Sequence, residues 1–85
     1  MRILETSKFQ RLRKKIRQEA ERTSLKEAIL EVEMNPAAGK KLKGEFAHLR
    51  AYPYTVKRQA RRLVYMWEED TIVLFSFGPR AGIYR

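Results

Sequence analysis

The apolar residues of this chain change period at Asn35-Pro36, and that switch is the strongest constraint on its fold. Before it, Phe9, Leu12, Ile16 and Ala20, then Leu25, Ala28, Ile29 and Val32, recur every three or four residues, the spacing of a helix face. Thr6 and Ser7 offer hydroxyls to the free N–H groups of a first turn. Ser24-Leu25-Lys26-Glu27 has the form of a capping box and predicts a second helix starting at Ser24. Asn35-Pro36 ends it, because the residue before proline avoids helical geometry. After the switch the period is two. His48 to Val56 and Arg61 to Trp67 alternate, with Pro53 marking an edge or a bulge. Glu68-Glu69-Asp70 is a hairpin turn, and Thr71 to Phe77 is apolar on both faces, as a central strand requires. Ile3-Leu4 supplies an opening strand, and Ala37 to Gly44 is a connection anchored by Leu42. The predicted class is therefore α+β: strand, two-helix hairpin, then three antiparallel strands. The helices pack on one face of a mostly antiparallel four-stranded sheet, and residues 1–85 make one domain.

Charge narrows the function. Nineteen Lys and Arg stand against ten Asp and Glu, a net +9, and the excess is concentrated. Lys8 to Arg17 and Arg50 to Arg62 contain no acid, whereas Glu19 to Glu33 is locally acidic. Two separated basic segments imply oriented surfaces that attract polyanions. With no cysteine there is no disulfide framework, thiolate nucleophile or cysteine zinc site, and one histidine, His48, builds no multi-histidine metal centre. No metal or cofactor is expected. No apolar run approaches the ~20 residues of a membrane span. Nor does the N-terminus carry a signal-peptide pattern, so a cytoplasmic protein without membrane partners is expected. The apolar stripes of the helices, Trp67 and Phe75 read as core.

Several motifs then fall in order along nearly the whole chain. They are Met34-Asn35-Pro36, Gly39, Lys41-Leu42-Lys43-Gly44, Leu49-Arg50-Ala51-Tyr52, Arg62-Leu63-Val64-Tyr65, and Gly78-Pro79-Arg80 ending in Tyr84. The set resembles the RelE/ParE family of bacterial toxins, closer to its RelE-like branch. The resemblance implies a toxin held by a cognate antitoxin. RelE-like members cleave messenger RNA in the ribosomal A site, and ParE-like members poison DNA gyrase. Matched to the family pattern, Arg50, Arg62, Arg80 and Tyr84 take the positions of the working residues. Three departures stand out: Tyr52 lies where such ribonucleases often carry a second lysine, the histidine and glutamate of a related C-terminal motif are missing, and no C-terminal helix follows Tyr84.

The chemistry suits the residue types. Cleavage without metal needs a deprotonated 2′-OH, a neutralised phosphorane and a protonated 5′-oxygen. Guanidinium forks meet the second need, and such donors contribute ~10²–10³-fold each. The expected site has Arg62 and Arg80 on the scissile phosphate, Arg50 and Lys57 orienting, and Tyr84 acting on the attacking or leaving oxygen. Tyr52, Tyr54 and Tyr84 are candidates for stacking on unpaired bases. Lys40, Lys41, Lys43, Arg58 and Arg61 complete the RNA-binding set. Arginine is a poor base. His48 and Glu45 are candidates for that role, and a tyrosine serves only where cations favour its phenolate. The expected partners are antitoxin, ribosome and messenger RNA. A gyrase-directed inhibitor and a non-catalytic RNA-binding or degenerate toxin are the alternatives.

Overall fold

A computed structural model describes residues 1–79. Its elements are β1 (Arg2–Glu5), α1 (Ser7–Lys14), α2 (Glu19–Met34), β2 (Lys40–Lys41), β3 (Arg50–Val56), β4 (Gln59–Glu68) and β5 (Thr71–Gly78). Single turns of 3₁₀ helix cover Pro36–Ala38 and Gly44–Phe46. The strands form one sheet in the order β1-β5-β4-β3-β2, in which only the β1–β5 pair is parallel. Five strands replace the four predicted. The addition is the two-residue β2, which lies in the expected connection and pairs with Arg50 and Ala51. Beyond Ala51 no described residue pairs with the outer side of β3, and Pro53 sits on that free edge, where its missing N–H costs no ladder bond.

The helical boundary also differs from the prediction. One helix was expected through Ala20 and a second from Ser24, whereas α1 stops at Lys14 and α2 starts at Glu19. Arg22 accounts for the shift. Its guanidinium donates to the Ile16 carbonyl (3.1 Å) and to Glu19 (3.1 Å), which closes the turn between the helices. Glu19 and Glu21 then lie in the first turn of α2, where carboxylates favour the helix dipole. Ser24 lies inside α2, just before the buried Leu25. The N-cap of α1 is as expected: Thr6 Oγ1 accepts from the Phe9 N–H (3.1 Å). The same hydroxyl donates to the Phe75 carbonyl (3.2 Å). Phe75 is the extra residue of a β-bulge, since the register steps from Val64↔Ser76 to Tyr65↔Leu74.

The sheet divides two apolar clusters. On the helix face Phe9, Ile16, Leu25, Ala28 and Val32 meet Leu63, Tyr65, Ile72, Leu74 and Phe77. On the opposite face Leu49, Ala51 and Val64 are covered by Leu42, Phe46, Met66 and Phe75. Loop 42–49 thus closes one end of that second face, leaving Pro53, Thr55, Ala60 and Arg62 beyond it. Among the described residues no helix is long and apolar enough to cross a membrane.

Candidate functional site

Strand alternation decides where the candidate residues point. Arg50 pairs with Tyr65, Tyr52 with Leu63 and Tyr54 with Arg61, and Leu63 and Tyr65 belong to the helix-side core. Arg50, Tyr52, Tyr54 and Arg61 therefore extend to the helix face. Arg62 pairs with Pro53 and Val64 with Ala51, so Arg62 extends to the open face. The expected convergence of Arg50 with Arg62 is absent: the two guanidiniums leave opposite sides of the sheet. Arg80 and Tyr84 lie outside the described residues.

Arg50 is engaged instead at the β2 end. It donates to the Gly39 carbonyl (2.9 Å), and its guanidinium carbon lies 5.4 Å from the centre of the Trp67 ring. The same loop is held from below by Tyr65, which accepts from the Gly39 N–H (2.8 Å) and donates to the Pro36 carbonyl (2.6 Å). Trp67, expected in the core, keeps 39% of its surface exposed. It lies beyond the last helix-covered position of β4, and its Nε1–H donates to the Glu69 carbonyl (3.1 Å). His48 sits edge-on to Phe75, with ring centres 6.4 Å apart. Glu45 is exposed in the second 3₁₀ turn.

Arg61, assigned to RNA, is occupied within the fold. It pairs with Glu21 of α2 at 2.6 Å, both side chains about four-fifths buried (18% and 20% exposed). Tyr54 lies beside this pair, and burial raises its pKa to about 12, Arg61 lowering it and Glu21 raising it. Burial also raises the Tyr65 pKa, against the lowering effects of the Gly39 hydrogen bond and Arg50. Neither phenol offers a phenolate near neutral pH. Tyr52 and Tyr54 line a groove beneath α2 with Glu27, Leu30, Glu31 and Met34, on the face away from Arg62. Tyr52 packs partly against the main core, so stacking beside Arg62 is not available to it.

The β3–β4 turn brings cations together. Val56 pairs with Gln59, so Lys57 and Arg58 alone form the loop, and both carry positive φ (49° and 72°). That is the pattern of a type I′ hairpin, which normally selects Asn or Gly. Two exposed long cations in the left-handed region cost ~1–2 kcal/mol each, strain that Gly or Asn would largely avoid. Lys57 also borders a hollow of about 480 Å³ with Lys15, Arg17, Gln18, Glu21 and Arg61. The two basic segments, some forty residues apart in sequence, meet there, and the inter-helix residues Lys15 and Arg17 join a cationic surface that sequence reasoning did not assign them. The acid-free run Lys8–Arg17 was the available signal. Arg62 makes no ion pair or hydrogen bond with any described residue. Its register neighbours, Pro53 and Gly78, carry no ionisable side chain. Lys40, Lys41 and Lys43 are all exposed near β2, at the opposite end of β3 from the hairpin.

A helical hairpin on one face of a five-stranded, mostly antiparallel sheet defines a small α+β protein of the RelE-like architecture. The chain belongs to the family of ParE-like toxins of type II bacterial toxin–antitoxin systems, which it matches over residues 3–85. Among solved structures it is similar to a chain of the intact E. coli RelBE toxin–antitoxin complex, with TM-score 0.71 and 22% identity over 92% of this chain and 94% of that one. A copper-bound mutant toxin from Helicobacter pylori gives TM-score 0.63 and 20% identity over 95% and 96%. A conserved hypothetical protein from the same organism, solved in solution, gives 0.56 and 21% over the same shares. A search of curated proteins finds no match.

Proposed function

We propose that this toxin acts on RNA, as a ribosome-dependent endoribonuclease that cuts messenger RNA in the A site and is silenced by a cognate antitoxin. One observation carries the reading: two acid-free basic segments meet at the β3–β4 end of the sheet, where Lys57 and Arg58 hold a strained turn beside Lys15 and Arg17. A surface of this kind gathers phosphates and speeds their arrival. Arg62, on the opposite, open face of the same hairpin and without an ion pair to any described residue, grips the scissile phosphate, and its fork suits two non-bridging oxygens. Arg80 shares that load. The 2′-oxygen attacks phosphorus, the 5′-oxygen departs with a proton, and the ends formed are a 2′,3′-cyclic phosphate and a 5′-hydroxyl. Tyr84, at the position of the family's C-terminal tyrosine, acts on the attacking or leaving oxygen. Arg50 is withdrawn from this site by its bonds on the helix face. The likeness to a toxin from a toxin–antitoxin complex supports a protein antitoxin, for which an acidic segment suits the cationic surface.

A second reading, a gyrase-directed inhibitor, is favoured by the register of β3 and β4, in which Arg62 faces Pro53 rather than another cation among the described residues. One experiment separates them. Induced expression of the wild type and Arg62→Ala is followed by growth curves, mapping of transcript 5′ ends and assay of DNA breaks. New 5′ ends in translated messages, lost in Arg62→Ala, support the ribonuclease. Growth arrest with intact transcripts and broken DNA refutes it in favour of the gyrase reading.

A further inference from the structure

The hollow at the β2 end of the sheet contains chemistry that the Arg62 face does not use. It measures about 260 Å³ and is bordered by Lys41, His48, Arg50, Met66, Trp67 and Glu68. That is slightly below the ~300–1,000 Å³ of a site for a drug-sized ligand, so the space suits a single small planar group. The indole is preset. Its Nε1–H is fixed on the Glu69 carbonyl, Arg50 lies over the ring, and Arg50 is itself tied to Gly39. Holding the ring in place beforehand removes much of the ordering cost of stacking something on it. Lys41 is the register partner of Arg50, which brings two cations to one rim.

We propose that this hollow is a second nucleotide site, taking one unpaired base of single-stranded RNA against Trp67 and its phosphate on Lys41 and Arg50. The proposal rests on the RNA reading above. An exposed aromatic beside cations is the usual platform for an unpaired base. The Glu68 carboxylate on the rim is an acceptor for the exocyclic amino group of a base, a donor that an acidic peptide side chain lacks. Arg50 and Pro53, the partner of Arg62, are three residues apart on β3, about 10 Å along the strand, and point to opposite faces. The second site is therefore separate from the first and positions a nucleotide flanking the one cut.

Trp67 is the single tryptophan of the chain, so its fluorescence reports on this site alone. The full chain is titrated with an unstructured oligocytidylate while tryptophan emission and the anisotropy of a 5′-labelled copy are followed together. Saturable quenching that parallels the anisotropy is expected. Trp67→Ala lowers affinity about 5- to 150-fold, the range for one stacked base, and Trp67→Phe retains most of it. Lys41→Ala lowers the slope of log affinity against log salt by about one. Rising anisotropy with unchanged emission, or a folded Trp67→Phe that binds no better than Trp67→Ala, overturns the second site and leaves the RNA reading standing. Absence of any RNA binding overturns both. Quenching by a glutamate-rich peptide but not by oligocytidylate also overturns it.

Discussion

The Tyr65 hydroxyl is the point at which the loop carrying β2 is fastened to the sheet, and removing it gives a sharp test of the fold. Tyr65 is fully buried; its oxygen accepts from the Gly39 N–H at 2.8 Å and donates to the Pro36 carbonyl at 2.6 Å. Tyr65→Phe strands a buried N–H, at ~1–3 kcal/mol, and a half-buried carbonyl, at ~0.5–1.5 kcal/mol for an ordinary bond. The sum is about 1.5–4.5 kcal/mol, which for a chain of this length lowers Tm by roughly 6–36 °C. Gly39→Ala attacks the same point from the other side. A Cβ there lies 2.5 Å from the Tyr65 oxygen and 2.7 and 2.9 Å from Cε1 and Cζ, so the ring must move and give up both bonds. Overpacking of this kind costs about 1–3 kcal/mol. The two losses overlap, so the double variant falls short of additivity by at least ~0.5 kcal/mol. Urea unfolding followed by far-ultraviolet circular dichroism, at constant m-value, measures all three. A Tyr65→Phe variant within ~0.5 kcal/mol of the wild type, or strict additivity, refutes the reasoning.

Other perturbations follow from the same contacts. Tyr54 Oη is buried without a hydrogen-bond partner, so Tyr54→Phe is neutral or stabilising by up to ~1 kcal/mol in thermal melts. Folded Tyr54 titrates at about 12 against 10 for an unfolded tyrosine, so the unfolded chain releases its proton first. This contribution is complete below pH 10 and lost as pH rises from 10 toward 12, and Tyr54→Phe flattens that stretch of the stability profile. Glu21→Gln leaves the Arg61 guanidinium without its partner and costs about 1–3 kcal/mol, below the value for a fully buried pair because both groups keep some solvent. Replacing both residues by apolar ones of similar size costs less, a comparison that chemical denaturation makes directly. Arg58→Gly relieves a residue at φ 72° and raises stability by ~0.5–1 kcal/mol in thermal melts, while weakening RNA binding measured by anisotropy.

Much of the architecture is legible in hydrophobic period alone. Leu25, Ala28 and Val32 are buried as the helical stripe requires, and Ile72 and Leu74 lie in β5, an interior strand between β1 and β4, as apolar residues on both faces imply. Local signals mislead where a long-range contact competes. Ser24 and Glu27 are tolerated inside a helix as well as at its start, so the capping-box pattern does not fix the boundary, which is set by Arg22 reaching back to the Ile16 carbonyl. The strand β2 has no pattern of its own, because two lysines acquire strand geometry only by pairing with Arg50 and Ala51. Trp67 reads as core on composition, yet it falls past the helical cover, a fact of strand length and not of hydropathy. The Arg61–Glu21 pair joins residues forty positions apart, one on a strand and one on a helix, and neither segment announces the other.

The candidate site turns on the smallest structural element in the chain. In the β3–β4 hairpin every paired couple is fixed by the two-residue turn Lys57-Arg58, which sets Arg62 opposite Pro53 and Arg50 opposite Tyr65. Because side chains alternate with period two, a turn one residue longer would pair Arg62 with Tyr54 and bring it to the face of Arg50. Residue type and spacing along each strand are identical in the two cases, so a motif match assembles one cluster of arginines where the register builds two. The strain in that turn is then more than a local oddity. Two cations held at positive φ fix the register that separates the Arg62 guanidinium on the open face from the Arg50 guanidinium beside an indole on the other. A polyanion that engages both must pass around the free edge of β3, which begins beyond the Ala51–Lys40 pair and carries no further strand among the described residues.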